Sequence, residues 1–303
     1  MSIRNWLSIG ALVAIAAIPA PAEAAVEAVA TTTDVAWVVQ QVGGANVRVT
    51  SLAPGDRDPH RIEARPSQVT RIARADLFAR IGLELDSWAD ALLRAANNRK
   101  VSPGGPGYCD CSAGVRALEV PQGRVDASMG EVHLRGNPHY WLDPANVANA
   151  ARNVAEALGR VDPANRDLYQ RNYQALRRRL DEALRRWQEA LAPFRGRRIV
   201  TYHKTFPYFF QRFGLVEFAN VEPKPGIEPS AGHIADVSRR MRAEGVRVIL
   251  AETYRNRRYA ELLARQGGGV VVYVPVSVGG ERGVDDYFRL MDTIVERLVA
   301  ALR

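Results

Sequence analysis

Apolar positions along this chain follow two rhythms, one with a helical period and one of short unbroken runs. Residues 35–49 begin in the first rhythm and end in the second, with Gly43-Gly44 between them. A loop over 53–60 follows. A short helix is then predicted over 67–74 with Ser67 at its N-cap, a strand over 77–83 and a helix over 87–97. Residues 101–137 hold many Gly and Pro and little periodicity, which predicts a long irregular segment with one or two short strands. Asp143-Pro144 opens a helix through Leu158, and Asp162-Pro163 opens another to about Leu191; an Asp cap followed by Pro is a strong helix start. The second helix is far longer than the usual ~11–12 residues. Its apolar positions (Leu168, Tyr169, Tyr173, Leu176, Leu180, Leu184, Trp187, Leu191) keep the helical period, as a stiff connector would. Beyond it, strands over 198–202, 216–221, 246–251 and 270–274 alternate with helices over 205–213, 229–244, 257–266 and 285–302.

Strands alternating with helices predict parallel sheets with ligand loops at the strand C-termini. The expected fold is therefore α/β, with two (βα)-type domains over 25–160 and 194–303. A long rigid connector helix over 161–193 joins them, and a cleft lies between them. A hydrophobic content of 47% is enough to build two cores.

The N-terminus changes the setting. Residues 1–24 carry one early charge, Arg4, then an apolar run over 6–18 and the small-residue triplet Ala22-Glu23-Ala24. This has the form of a cleaved secretory signal peptide. The run is shorter than the ~20 apolar residues a membrane span needs, and no Cys near the cleavage site could carry a lipid. A soluble, periplasmic, monomeric protein without a lipid anchor is the expectation. The net charge of +8 comes mostly from arginines on helices, as in Arg177-Arg178-Arg179. Without aromatic-basic alternation, and in an exported protein, these read as solvated faces and not as a nucleic-acid surface. Cys109 and Cys111 lie in the Gly/Pro-rich segment. Their spacing makes a disulfide a small, strained ring, so they are read as a redox-dependent loop feature, with thiolate metal binding also conceivable.

The candidate chemistry lies in the histidines. His60 follows a strand and a loop, His139 precedes the Asp143-Pro144 helix start, and His203 follows the strand over 198–202. Loops of this kind converge at the mouth of an α/β sheet. Two histidines come from the first domain and one from the second, so a metal would bridge the cleft. Neutral imidazoles suit zinc, and three or four of them complete a tetrahedral site.

Several words around these residues resemble the metal-binding solute-binding proteins of zinc and manganese ABC transporters. Asp58-Pro59-His60 with Arg65-Pro66-Ser67 resembles the family's first ligand loop. Ala75-Asp76-Leu77-Phe78 with Gly82-Leu83-Glu84-Leu85-Asp86-Ser87-Trp88 resembles its next segment. Asn137-Pro138-His139-Tyr140-Trp141-Leu142-Asp143-Pro144 resembles the word that carries the second ligand, and Tyr202-His203-Lys204-Thr205-Phe206-Pro207-Tyr208-Phe209 the word that carries the third. Glu228-Pro229-Ser230 resembles the opening of the following helix. The words run in order over nearly the whole chain after the signal. The resemblance implies capture of Zn2+, with Mn2+ less favoured, and delivery to the membrane permease of an ABC importer. It also implies modest cleft motion.

Two departures stand out. Relatives often place an Asp after the last strand, whereas 273–278 here reads Tyr-Val-Pro-Val-Ser-Val. Glu222 is the first candidate for the fourth ligand, Glu252 the second and water the third. Glu63 is the candidate acceptor for the far nitrogen of His60. Zinc-specific relatives often carry a long His- and acid-rich insertion before the second ligand, where this chain has only His133; solvent exposure without function is the expectation for it, with weak metal shuttling the alternative. His233, inside a helix, is read as structural. Zinc affinity is expected to fall as protons compete for imidazole near pH 6–7. The alternative function is a zinc hydrolase using three histidines and a bound water. No HExxH word and no paired base and nucleophile support it, so the expectation is a binding protein and not an enzyme. A surface adhesin is a third reading, for which the sequence shows neither anchor nor binding patch.

Overall fold

A computed structural model describes residues 25–303, except 124, 127 and 128. The expected signal peptide lies outside the described residues. In chain order the first lobe holds β1 (Val26–Ala30), α1 (Thr33–Gly43), β2 (Val47–Ser51), α2 (Pro66–Arg74), β3 (Leu77–Arg80), α3 (Ala89–Ala96) and β4 (Tyr108–Asp110). Two helices follow, α4 (Pro144–Val161) and α5 (Arg166–Leu191). The second lobe holds β5 (Arg198–Thr201), α6 (Pro207–Phe213), β6 (Val216–Asn220), α7 (Ala231–Glu244), β7 (Val248–Glu252), α8 (Arg257–Gly267), β8 (Val270–Val274) and α9 (Tyr287–Leu302). Each lobe is a four-stranded parallel sheet, in the orders β2-β1-β3-β4 and β6-β5-β7-β8. In both, the strand order reverses beside the first strand, the place where an open α/β sheet opens a crevice at its carboxyl ends.

Local chemistry explains the elements. The β3 and β7 strands are buried throughout, as expected for parallel strands covered on both faces. Asp143 caps α4 by accepting from the Ala145 N–H, with Pro144 in the first turn. Asp286 caps α9 through the Phe288 and Arg289 N–H groups. Tyr169, Tyr173, Leu176, Leu180, Ala183, Trp187 and Leu191 form the buried stripe of α5. With 26 residues, α5 spans about 40 Å at the usual rise.

Two expectations are corrected. Ser67 is not the cap of α2: the helix begins at Pro66 with Arg65 as its cap, and the Gln68 side chain accepts from the Arg65 N–H at 2.7 Å. Proline is favoured at the first helical position because it has no N–H to leave unsatisfied. Only one of the cysteines is in a loop. Cys109 is in β4 and Cys111 follows it, both buried in the core, their sulfurs 4.0 Å apart and unbridged.

The lobes share one core. A single cluster of buried apolar side chains runs from Val26 and Val38 through Trp141 and Leu180 to Phe209 and Leu290. Hydrogen bonds cross between the lobes beside it. Trp141 Nε1 donates to the Val276 carbonyl at 2.7 Å, the Tyr208 hydroxyl to the Asn137 carbonyl at 2.7 Å, and Arg212 makes a two-pronged pair with Asp143 at 2.7 and 2.8 Å. No helix among the described residues is long and apolar enough to cross a membrane.

Candidate metal centre

Three histidines meet where the lobes face each other. One nitrogen from each of His60, His139 and His203 lies within 4.8 Å of the others. Their rings are 5.1 to 5.5 Å apart between centroids. His60 is carried by the loop after β2, His139 by the turn before α4, and His203 by the turn after β5.

Each ring is held by its far nitrogen. Asp58 Oδ1 accepts from both the backbone N–H of His60, at 3.1 Å, and its Nδ1, at 2.9 Å. Asn137 Oδ1 repeats this for His139, with both bonds at 3.0 Å. The amide orientation of Asn137 is decided by its other end, where Nδ2 donates to the Lys204 carbonyl and to Glu119. Glu222 Oε2 holds Nδ1 of His203 at 2.7 Å and also accepts the Gly226 N–H. An oxygen acceptor at each Nδ1 puts the proton there and leaves Nε2 as the bare nitrogen. Nε2 of His60 and of His139 is buried without a hydrogen-bond partner. A buried polar atom left unpaired costs about 1–3 kcal/mol, so two of them aimed at one point indicate a ligand that accepts their lone pairs.

Arg255, in the turn after β7, ties the supports together. Its Nη1 sits 3.2 Å from Asp58 and 3.3 Å from Glu222, and its Nε lies 3.7 Å from Glu252. Three carboxylates and one guanidinium leave a formal −2 behind the imidazoles, a match for a divalent cation. Burial pushes Asp58 upward, but its bond to His60 and the charges of His60 and Arg255 outweigh this and hold it below the usual carboxylate range. Burial, followed by the Arg255 and His60 charges, pushes His203 down to about 3. Burial, then His60, pushes His139 well below its ordinary value. Both rings therefore stay neutral, the form that binds a metal.

The other candidates fall elsewhere. Both Glu222 oxygens are engaged behind His203, by its Nδ1, Gly226 and Arg255, so this carboxylate stands outside the three-nitrogen group. Glu252 is fully buried, bonded to the Thr205 hydroxyl and facing Arg255. Glu63 is exposed, and Asp58 takes the role expected of it. The reason is reach: Asp58 is two residues from His60 in a tight turn. His233 is structural as expected, its Nε2 against the Asn220 carbonyl at 3.0 Å. His133 is not a solvated bystander. Its ring lies 5.3 Å from that of His60, and its Nε2 is buried and unpartnered. It lines a cavity of about 410 Å³ together with His139 and His203.

Asp58, Asn137 and Arg255 were not singled out in the sequence. One signal for the first two was present: Asp58-Pro59-His60 and Asn137-Pro138-His139 share a short oxygen-bearing side chain, a proline and a histidine.

Two parallel-sheet lobes bridged by one long helix, with imidazoles from both meeting in the cleft, are the architecture of a solute-binding protein of the metal type. A family model described as zinc-uptake complex component A, periplasmic (ZnuA), matches residues 28–301, and this chain belongs to that family. The manganese ABC transporter substrate-binding lipoprotein PsaA of Streptococcus pneumoniae is 24% identical over 90% of this chain and 88% of its own. A ZnuA deletion mutant crystallised with zinc bound superimposes with a TM-score of 0.77 at 25% identity, covering 91% of this chain and 98% of that one. The solute-binding protein FpvC of Pseudomonas aeruginosa, solved with Mn2+, gives 0.77 at 25% identity, over 92% and 98%. The zinc hydrolase alternative gains no support from these relatives, which are named for metal binding or transport.

Proposed function

We propose that this protein captures a divalent metal ion outside the cytoplasm and delivers it to the membrane permease of an ABC importer. We further propose that zinc is the metal. The observation that carries this reading is the convergence of three buried imidazoles whose Nδ1 atoms are all held by oxygen acceptors. Three nitrogens with no carboxylate in the group favour zinc over manganese, which prefers oxygen ligands. The lobes are 25–160 and 194–303, with 161–193 as connector, and the metal is held between them. Glu222 orients His203 and balances charge, and does not enter the coordination. Export through the segment 1–24 places the protein in the periplasm, where it works as a monomer without enzymatic activity.

Calorimetric titration with zinc and manganese tests this. One tight zinc per chain is expected, with manganese weaker, given the poor match of imidazole sets to manganese. His60→Ala, His139→Ala and His203→Ala should each abolish the tight isotherm. Zinc binding indifferent to all three substitutions would overturn the reading.

A further inference from the structure

We propose that His133 is the fourth nitrogen donor of the metal centre, brought to it by a strap of residues 129–137 that is tied to both lobes. The inference rests on the three-histidine reading above and assigns the position that reading leaves open. Zinc takes four ligands in a closed site. The usual source of the fourth is missing here: residues 273–278 contain no carboxylate, Glu222 is engaged behind His203, and Glu252 bonds the Thr205 hydroxyl through one oxygen while its other, which makes no hydrogen bond, faces Arg255 at 3.7 Å.

His133 meets the requirements of a ligand. Its ring centroid stands 5.3 Å from that of His60, inside the 5.1 to 5.5 Å spacing of the three imidazoles among themselves. Its Nε2 is buried and makes no hydrogen bond. A histidine kept only for packing would find an acceptor or a donor, or give way to an apolar residue.

The strap supplies the positioning. The Glu131 N–H donates to the Pro225 carbonyl of the second lobe at 2.8 Å, and the Leu134 N–H donates to Glu84 of the first at 2.6 Å. Arg61 joins the Glu131 carboxylate, at 3.2 Å, to the Gly226 carbonyl, at 3.3 Å. Gly130 has φ +81°, and a Cβ there would stand 2.2 Å from the Pro225 carbonyl oxygen, so only glycine lets the strap approach this closely. Three residues later the chain presents His133 to the cavity it shares with His139 and His203. Its nitrogen lies outside the 4.8 Å group of the other three. Rotation of the side chain about χ1 and χ2 carries it inward as the metal arrives. The resulting set of four neutral imidazoles leaves the ion's full charge to be balanced by the carboxylates and guanidinium behind them.

Zinc-edge X-ray absorption of the full chain, together with competitive zinc titration, tests the assignment. The wild-type centre should show four imidazoles. His133→Ala should show three and an oxygen, with affinity lower by about tenfold or more, in the range that lost support costs a metal site. His133→Gln should behave like His133→Ala, and urea unfolding of the zinc-free variants at the wild-type midpoint separates ligand loss from misfolding. A His133→Ala centre with the wild-type spectrum and affinity overturns the inference while leaving three histidines in place. Wild-type protein that binds no stoichiometric zinc overturns both the inference and the reading beneath it.

Discussion

Asp58 and Asn137 do the same work at two of the three clustered histidines. Each stands two residues before its histidine and accepts from that residue's backbone N–H as well as its ring. Removing the acceptor frees the ring and the tautomer, so Asp58→Ala should weaken zinc binding about 10- to 100-fold. Asp58→Asn keeps an acceptor oxygen and should lose less; the two are compared by competition against a chelator. Burial also sets the pH response. The unfolded chain takes up protons as pH falls through about 6.5, whereas His203 in the fold stays neutral to about 3 and His133 to about 4. At these two sites the unfolded state binds more protons across that interval, so their contribution to stability declines as pH drops below about 6.5, while Asp34, pushed up to about 7 by burial, contributes in the opposite sense. For His203 alone the loss at pH 5 is about 2 kcal/mol, at ~1.4 kcal/mol per pH unit. Urea unfolding of zinc-free wild type and His203→Ala between pH 7 and 5 reads it, and a stability difference between the two that does not change with pH would contradict the burial argument. The same burial moves proton competition at His139 and His203 to lower pH than the pH 6–7 expected of free imidazole.

At the scale of elements, the helix ends and the turns place the clustered histidines. Asp143 caps α4 just after the His139 turn and also pairs with Arg212 of α6, so one carboxylate closes a helix and ties it across to the second lobe. Asp143→Ala should cost about 2 kcal/mol by urea unfolding, from cap and charge-assisted bonds together. Most elements were legible from periodicity, and β8 falls on its expected residues, 270–274. The central strand β1 (Val26–Ala30) was not. It is short, with three of its five residues glutamate or alanine, and only seven residues separate it from the apolar N-terminal run over 6–18. Only its pairing with both β2 and β3 makes it a strand.

At the scale of the whole molecule the two lobes are tied together. A core shared by both lobes, a connector of 26 residues and several cross-lobe hydrogen bonds leave little room for wide hinge closure. Solution scattering should give a radius of gyration of about 19 Å for the described residues, from size alone. Saturating zinc should change it by less than about 1 Å, as in pre-organised binding. A larger contraction would show that the lobes move as separate bodies.

What the sequence determined by itself is the class of fold and the three histidines that the fold brings together. Helical period, strand runs and the order of short words are local properties, readable without knowing what packs on what. Tertiary structure alone decided the rest. Arg255 reaches Asp58, Glu222 and Glu252 because β7 ends beside the loops that follow β2 and β6. Glu222 stands behind His203 because parallel pairing sets its backbone N–H on the Tyr202 carbonyl. His133 moved from expected solvent to the cleft because its strap is bonded to Pro225 and Glu84, residues far apart in the chain. Side-chain type is written in the sequence, but its neighbours are set by long-range packing that no local pattern encodes.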